Sequence, residues 1–377
     1  MILELHLLQS FPVSNLNRDD LGQPKTATFG GQTRGRISSQ CLKRSARQLF
    51  TQHGLDVTET AVRTKRLRDH AAEVLVDRGK DPSEIDGVVT AGLEHLGFGV
   101  DQETGLTEYL LFVGHDAITH LADFCDKQWD GLLAAAAAKD GKKKPAKAKL
   151  DAAARAEASR LLDATRAADV ALFGRMIADN KDFSINAASQ VAHALSTHTV
   201  ATEFDYYTAV DDLKPEAESG ADMIGTVDFN TACYYRYANL DINQLRKNLA
   251  GDDALVARAT QAWLGAFIHA VPSGKQTSMA ARTMPETLLG VVRDGGAWNL
   301  ANAFLKPVLD EDIMAASTGR MIQHFGQLRS FYGGDGIHAA VAASVTGELP
   351  ETGNTDTVTS IGDFTARLLT ATETVPA

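Results

Sequence analysis

Residues 2–8 (ILELHLL) are apolar at all but Glu4 and His6 and read as a strand, with His6 a core or sheet-face residue on it. Ser38 and Ser39 are N-cap residue types, and Gln40–Phe50 contains no Gly or Pro, so a helix is predicted from Ser39 to Phe50. Residues 59–180 pattern mostly as helix. They are interrupted by Ala134–Lys149 (AAAAAKDGKKKPAKAK), whose lysines, Gly141 and Pro145 predict a flexible, solvated tether. Strand patterning resumes near Asn186. Across Thr226–Ile242, Val227, Phe229, Thr231, Cys233, Tyr235 and Tyr237 share one face by strict alternation, which predicts a half-buried strand. Residues 253–271 predict an apolar helix and Thr287–Val292 a further strand. Strand, helix, strand, strand, helix, strand is the order of a ferredoxin-like domain. The expectation is an α+β chain with that domain at 1–58 and 182–377, a helical insertion at 59–181 and a second insertion at about 200–225.

Composition adds limits. The 377 residues are 44% hydrophobic and 23% charged, ordinary for a globular protein with a sizeable core. No apolar run approaches the roughly 20 residues of a membrane span, and MILELHLL does not read as a signal peptide, so no membrane partner is expected. Three cysteines, Cys41, Cys125 and Cys233, lie far apart without metal-ligand spacing. They point to a reducing cytoplasm and away from disulfides or zinc.

Charge changes the picture most. The net charge is −11, yet Arg18, Lys25, Arg34, Arg36, Lys43, Arg44 and Arg47 face only Asp19 and Asp20 within one 30-residue stretch. On the predicted helix, Gln40, Lys43, Arg44 and Arg47 fall within an arc of roughly 100°, while Leu42, Ala46 and Leu49 take another arc suited to packing. Phe29-Gly30-Gly31 reads as a turn folding the Arg18/Lys25 loop back. The result is either an anion site, with the helix N-terminus contributing, or a solvated basic face.

The motifs Leu16-Asn17-Arg18-Asp19-Asp20, Phe29-Gly30-Gly31, Arg36-Ile37-Ser38-Ser39-Gln40 and Leu42-Lys43-Arg44 resemble the N-terminus of the CRISPR-associated CasC family, the backbone subunit of the type I-E Cascade complex within the RAMP superfamily. Further matches follow in family order over nearly the whole chain. They are Ala192-His193-Ala194 with Thr197-His198, Thr208-Ala209-Val210-Asp211-Asp212-Leu213, Tyr235-Arg236-Tyr237-Ala238-Asn239, Val271-Pro272 with Lys275-Gln276, and Ala301-Asn302-Ala303-Phe304.

The resemblance implies a hand-like protein with an RRM-like palm, helical fingers and a β-hairpin thumb. It implies a non-catalytic scaffold that polymerises along a CRISPR RNA and presents the spacer for pairing with target DNA. Lys25, Lys43, Arg44 and Arg47 would contact phosphates, with Arg18, Ser38, Ser39 and Gln40 completing the site and Lys275 and Gln276 forming a second contact. Met176, Tyr206, Tyr207 and Ile224 would wedge against the guide strand at the thumb, although the family commonly carries Trp-Phe where this chain has Tyr206-Tyr207. Other partners would be further copies of the chain (six to a complex), the remaining Cascade subunits and a recruited helicase-nuclease. No cofactor or metal is implied.

Catalytic signatures are sparse. The sequence has no Walker loop and no HExxH. Gly333-Gly334-Asp335-Gly336 reads as a turn, and the pairs Asp19-Asp20 and Asp211-Asp212 read as turn or capping residues. His193 and His198 are the best general acid/base candidates, although a satisfied structural histidine is the favoured reading of both. Two other functions therefore stay open: a CRISPR RNA-processing endoribonuclease of the same superfamily, and a metabolic enzyme with a phosphate site at Ser38/Ser39.

Overall fold

A computed structural model describes residues 1–138, 152–163, 165–176, 183–209, 223–350 and 355–373. The Lys-rich part of the expected tether, 139–149, and the acidic stretch 210–222 lie outside the described residues. The described chain is α+β and divides into two compact units. One comprises Met1–Gly54, Ser189–Asn243 and Ala257–Ala377, the other Leu55–Ala188 and Gln244–Val256.

The first unit begins with β1 (Ile2–Ser14), the hairpin strands β2 (Thr26–Phe29) and β3 (Gln32–Ile37), and helix α1 (Ser39–Arg47). The second unit carries β4 (Ala61–Thr64), α2 (Leu67–Asp77), α3 (Pro82–His95), β5 (Leu111–Gly114), α4 (Ala117–Lys127), α5 (Trp129–Ala137), α6 (Ala152–Leu161) and α7 (Ala168–Phe173). There follow β6 (Ser189–Val191), β7 (Ala194–Ser196), β8 (Glu203–Ala209), β9 (Met223–Asp241), α8 (Ile242–Asn248), α9 (Asp253–His269), α10 (Gln276–Met279) and β10 (Thr287–Arg293). The chain ends with α11 (Ile313–Tyr332), β11 (Ile337–Ser344), β12 (Asp356–Val358) and α12 (Ile361–Glu373).

The large sheet runs β12-β11-β10-β1-β9-β7-β3-β2, with β6 and β8 also paired to β9. Along Ile2–Leu8, β1 is antiparallel to both β10 and β9, so its backbone groups there are paired on one side or the other. It runs six residues past the predicted Leu8 because β9, at 19 residues, supplies a ladder that long. A register shift between Phe11 and Ser14 turns the end of β1 towards the basic loop.

The half-buried reading of Thr226–Ile242 needs correction. Residues 232–240 are buried on both faces, while most of 223–229 is exposed or half-exposed beside β8. The reason is helix cover on each side of the sheet. Cys233, Tyr235 and Tyr237 pack with Leu8, Leu289 and Val291 under Met321, Ile322 and Phe325 of α11. On the other side Ala232 and Tyr234 pack with Phe11, Ile37 and Leu42 of α1. Trp263 of α9, fully buried, donates its indole N–H to Ser189 Oγ at 2.8 Å. Arg236 reaches the same helix, donating to the Phe267 carbonyl and to Gln9 Oε1. Burying one side chain such as Leu42 contributes about 1.5–3 kcal/mol.

β1 also carries two buried polar groups. His6 Nδ1 lies 2.9 Å from the Tyr235 hydroxyl, and full burial pulls its pKa down to about 3. Glu4 accepts from Tyr237 Oη, the Trp298 N–H and Arg293, yet burial still holds its carboxyl above the usual range.

In the second unit Leu67, Leu75, Val88, Val89, Leu93, Leu121 and Cys125 form a helical core. The block read as helical also contains an antiparallel pair, β4–β5, joining Ala61 to Gly114 and Thr64 to Leu111. Arg175 is buried there and donates to the carbonyls of Phe183, Phe112 and Leu162.

A candidate nucleic-acid interface

The basic stretch folds into one corner of the first unit. α1 starts where predicted: Ser38 caps it by accepting from the Cys41 N–H, and Leu42, Ser45 and Ala46 are buried. The preceding loop grips this cap. Asn17 Oδ1 accepts from the Ser38 N–H at 2.8 Å, and the Asn17 carbonyl accepts from the Lys25 N–H at 2.9 Å. Asp19 serves the loop as a turn residue, its Oδ1 accepting from the backbone N–H groups of Leu21 and Gln23. Arg18 and Lys25 are thereby held beside the start of the helix. Ser39 is half-buried and Gln40 exposed in its first turn.

Gly30 and Gly31, both at positive φ, make the predicted turn between β2 and β3. A side chain at Gly30 would collide with the Leu305 carbonyl, so the hairpin tip is pressed onto the segment after Phe304. Arg34 reinforces the same contact. It is fully buried and donates to the carbonyls of Ser196 at 2.9 Å, Phe304 at 2.8 Å and Leu305 at 3.4 Å. One of the seven cations is therefore a structural cross-link and not part of the basic surface.

The others gather near α1. Arg44 is exposed, and Lys43 and Arg47 are half-buried. Burial raises the Cys41 thiol, while Arg44 and Lys25 both pull it back, which places both charges close to that residue. Arg36 donates from Nε to the Thr26 carbonyl and from Nη1 to His193 Nδ1 at 3.1 Å. Partial burial, Arg36 and then Lys25 lower the His193 pKa. Elsewhere several cations pair with acids, as in Arg78–Asp123, Lys80–Asp126, Arg246–Asp253 and Arg367–Asp356. Among the described residues Arg18, Lys25, Arg36 and Arg44 have no carboxylate in ion-pair range.

The loop carrying Lys275 adjoins this corner, since a side chain at Gly274 would strike the carbonyls of Asn15 and Leu16. Lys275 sits at φ 51°, a strained conformation for a non-glycine residue. Gln276 turns inward and donates to the carbonyls of Pro272 and Ala281, so it fastens the loop. His198 is also wired structurally. Its Nε2 accepts from the Cys233 N–H, which leaves Nδ1–H to donate to the Thr199 carbonyl.

The apolar candidates are displayed on projecting elements. β8 is exposed throughout and pairs antiparallel with the first half of β9. Register separates its aromatic residues. Tyr206 lies opposite Thr226 and Thr208 opposite Ile224, so Phe204, Tyr206 and Ile224 share one face. Tyr207 lies opposite Gly225 and Ala209 opposite Met223, so Tyr207 and Met223 share the other. Met176, in the second unit, is 87% exposed next to the anchored Arg175. Sequence reasoning missed Arg36 and His193 as neighbours, because one comes from β3 and the other from the β6–β7 turn. It also missed Phe204 and Met223, for which alternation along β8 and β9 was the available signal.

The sequence profile of the CT1975-like protein family matches residues 3–366. Among solved structures the chain is similar to a chain of a "CRISPR RNA-guided surveillance complex, pre-nicking", with a TM-score of 0.85 and 30% identity over 98% of this chain and 100% of that one. A chain of a second CRISPR RNA-guided surveillance complex matches with a TM-score of 0.73 and 26% identity over 98% and 100%. No curated protein sequence matches.

Proposed function

The chain belongs to the CT1975-like protein family, and from that premise we propose that it is a CRISPR RNA-binding backbone subunit of a Cascade-type surveillance complex, of the type I-E CasC kind. One observation carries the reading. In a protein of net charge −11, four cations without an ion pair among the described residues, Arg18, Lys25, Arg36 and Arg44, gather in one corner built from the 15–25 loop, β3 and α1. A polyanion is the ligand that such a corner suits. Backbone contacts of this kind position a strand without reading its sequence, as a guide-presenting subunit requires.

Other features support the details. The antiparallel order β10-β1-β9-β7, with α1 and α9 as the crossovers, agrees with a ferredoxin-like palm. The β8–β9 ribbon is a suitable thumb, its exposed Phe204, Tyr206, Tyr207, Met223 and Ile224 available to cover unstacked bases. Met176 would meet the guide from the fingers. Several copies would line up along one spacer, and chemistry would belong to other components.

Incubating the pure protein with repeat-spacer RNA tests the proposal. Stable, sequence-tolerant binding without strand scission is expected. Scission by the protein alone would favour the endoribonuclease reading, for which the exposed His193 beside Arg36 is the supporting geometry. An absence of binding would overturn both.

A further inference from the structure

We propose that Arg36 and His193 form a two-residue phosphate clamp, and that binding of an RNA phosphate there delivers a proton to His193. The inference rests on the RNA-binding reading and adds a specific site and a linked ion to it. Neither residue belongs to the phosphate contacts that the sequence motifs imply.

The geometry is specific. His193 is exposed in the turn between β6 and β7, and Arg36 projects from β3, which pairs with β7 through Arg36–Leu195 and Ile37–Ala194. Arg36 is pinned at both ends, its N–H donating to the Lys25 carbonyl and its Nε to the Thr26 carbonyl. Its Nη1 donates to His193 Nδ1, so the neutral ring carries its proton on Nε2. Arg36 Nη2 and His193 Nε2 have no partner among the described residues. Two adjacent groups thus keep donors open for an anion.

The charges around the ring fix the direction of the linkage. Arg36 from β3 and Lys25 from the loop before β2 both act on His193, and both are cationic. On α1, Arg44 lies near the thiol of Cys41, and no carboxylate pairs with His193 from any side among the described residues. In the free protein partial burial, and after it these cations, disfavour protonation, which keeps the ring neutral near pH 7. A phosphate seated between Arg36 and His193 takes the Arg36 Nη1–H bond away from His193 Nδ1, and its negative charge favours the imidazolium that forms when Nδ1 takes a proton from solvent and donates it to the phosphate. The bound-state pKa therefore lies above the free-state one. By linkage the added affinity is fully present below the free value and is lost as pH rises through the bound value.

Calorimetry of the full chain with a mixed-sequence single-stranded RNA, in two buffers of different ionisation heat, measures the proton directly. Net uptake is expected, and affinity should rise about threefold to tenfold between about pH 8 and pH 6, within the tenfold per pH unit that one linked proton allows. His193→Gln should bind more weakly and lose both the uptake and the pH response. His193→Arg should bind tightly with no pH response. An NMR titration of labelled histidine in the unaltered chain gives a readout independent of variants, with the His193 midpoint moving up on RNA addition. Binding without proton uptake, or uptake retained in His193→Gln, overturns the clamp while leaving the RNA-binding reading intact. An RNA that fails to bind at all removes that reading and the clamp with it.

Discussion

Replacing Arg34 with Met separates a structural cation from binding ones within the same basic stretch. Arg34 is fully buried and makes two good charge-assisted bonds, to the carbonyls of Ser196 and Phe304, and a longer one to Leu305. Each bond to a charged group is worth about 1.5–3 kcal/mol. Against that loss, methionine relieves the protein of desolvating a guanidinium, which offsets part of it. With carbonyls left unpaired at about 1–3 kcal/mol each, the net destabilisation should be about 2–4 kcal/mol. For domains of 150–250 residues this lowers Tm by roughly 5–15 °C. Arg44→Ala is the paired control. Its side chain is exposed and carries no ion pair among the described residues, so Tm should shift by no more than about 2 °C, an effect of under 0.5 kcal/mol. RNA affinity should behave in the opposite way. Arg44→Ala should reduce the slope of log affinity against log salt by about 0.7, the single-strand value per phosphate contact, while folded Arg34→Met keeps the full slope. Differential scanning fluorimetry and fluorescence anisotropy across a salt series make both measurements. An Arg34→Met protein with unchanged Tm and a reduced slope would refute the assignment of this guanidinium to the backbone carbonyls.

His6 should make the first unit acid-sensitive. Its folded pKa, about 3, lies below the ordinary value of 6.5, so its contribution is present above 6.5 and is lost as pH falls towards 3. The loss is at most about 1.4 kcal/mol per pH unit, and urea unfolding of His6→Gln should show a flatter acid limb than wild type. On the β8–β9 ribbon, Tyr206→Ala with Ile224→Ala strips one face and Tyr207→Ala with Met223→Ala strips the other. If one face covers unstacked bases, only that pair should weaken RNA binding, by about 1–3 kcal/mol per base and equally at low and high salt; equal binding by both would leave the ribbon without a wedge. His198→Ala should lower Tm, since it removes the bonds to the Cys233 N–H and the Thr199 carbonyl, whereas exposed His193→Ala should not. Circular-dichroism melts of the two variants decide this, with equal melting temperatures counting against the wiring described.

Local chemistry was legible in the sequence where the cause lies within a few residues. The Ser38 cap, the Gly30-Gly31 turn, α9 and β10 each follow from one residue type or one period, and the α+β character follows from them. The strand signal of β2 and β3 is weak in the sequence, since Thr26–Phe29 alternates over only four residues and Gln32–Ile37 has no apolar alternation, and hairpin pairing gives both their conformation. The C-terminal elements α11, β11, β12 and α12 also went unread. Of these, β11 is an Ala-rich strand whose place is fixed by pairing to β10 on one side and β12 on the other.

The basic stretch shows the same boundary. Its charge, its cap and the helical spacing of Lys43, Arg44 and Arg47 are properties of the chain alone, and they predict an anion site or a solvated basic face near Ser38 without reference to the fold. Sequence treated Arg34 and Arg36 alike, two positions apart on one strand. Tertiary structure buries the first against carbonyls 162 and 270 residues away and sets the second beside a histidine 157 residues away. It likewise divides Tyr206 from Tyr207 by ladder register and turns Gln276 inward beside an outward loop. Short-range propensities act through neighbours in sequence, whereas burial, pairing and field depend on which distant segments share a surface. Only the packed sheet decides that.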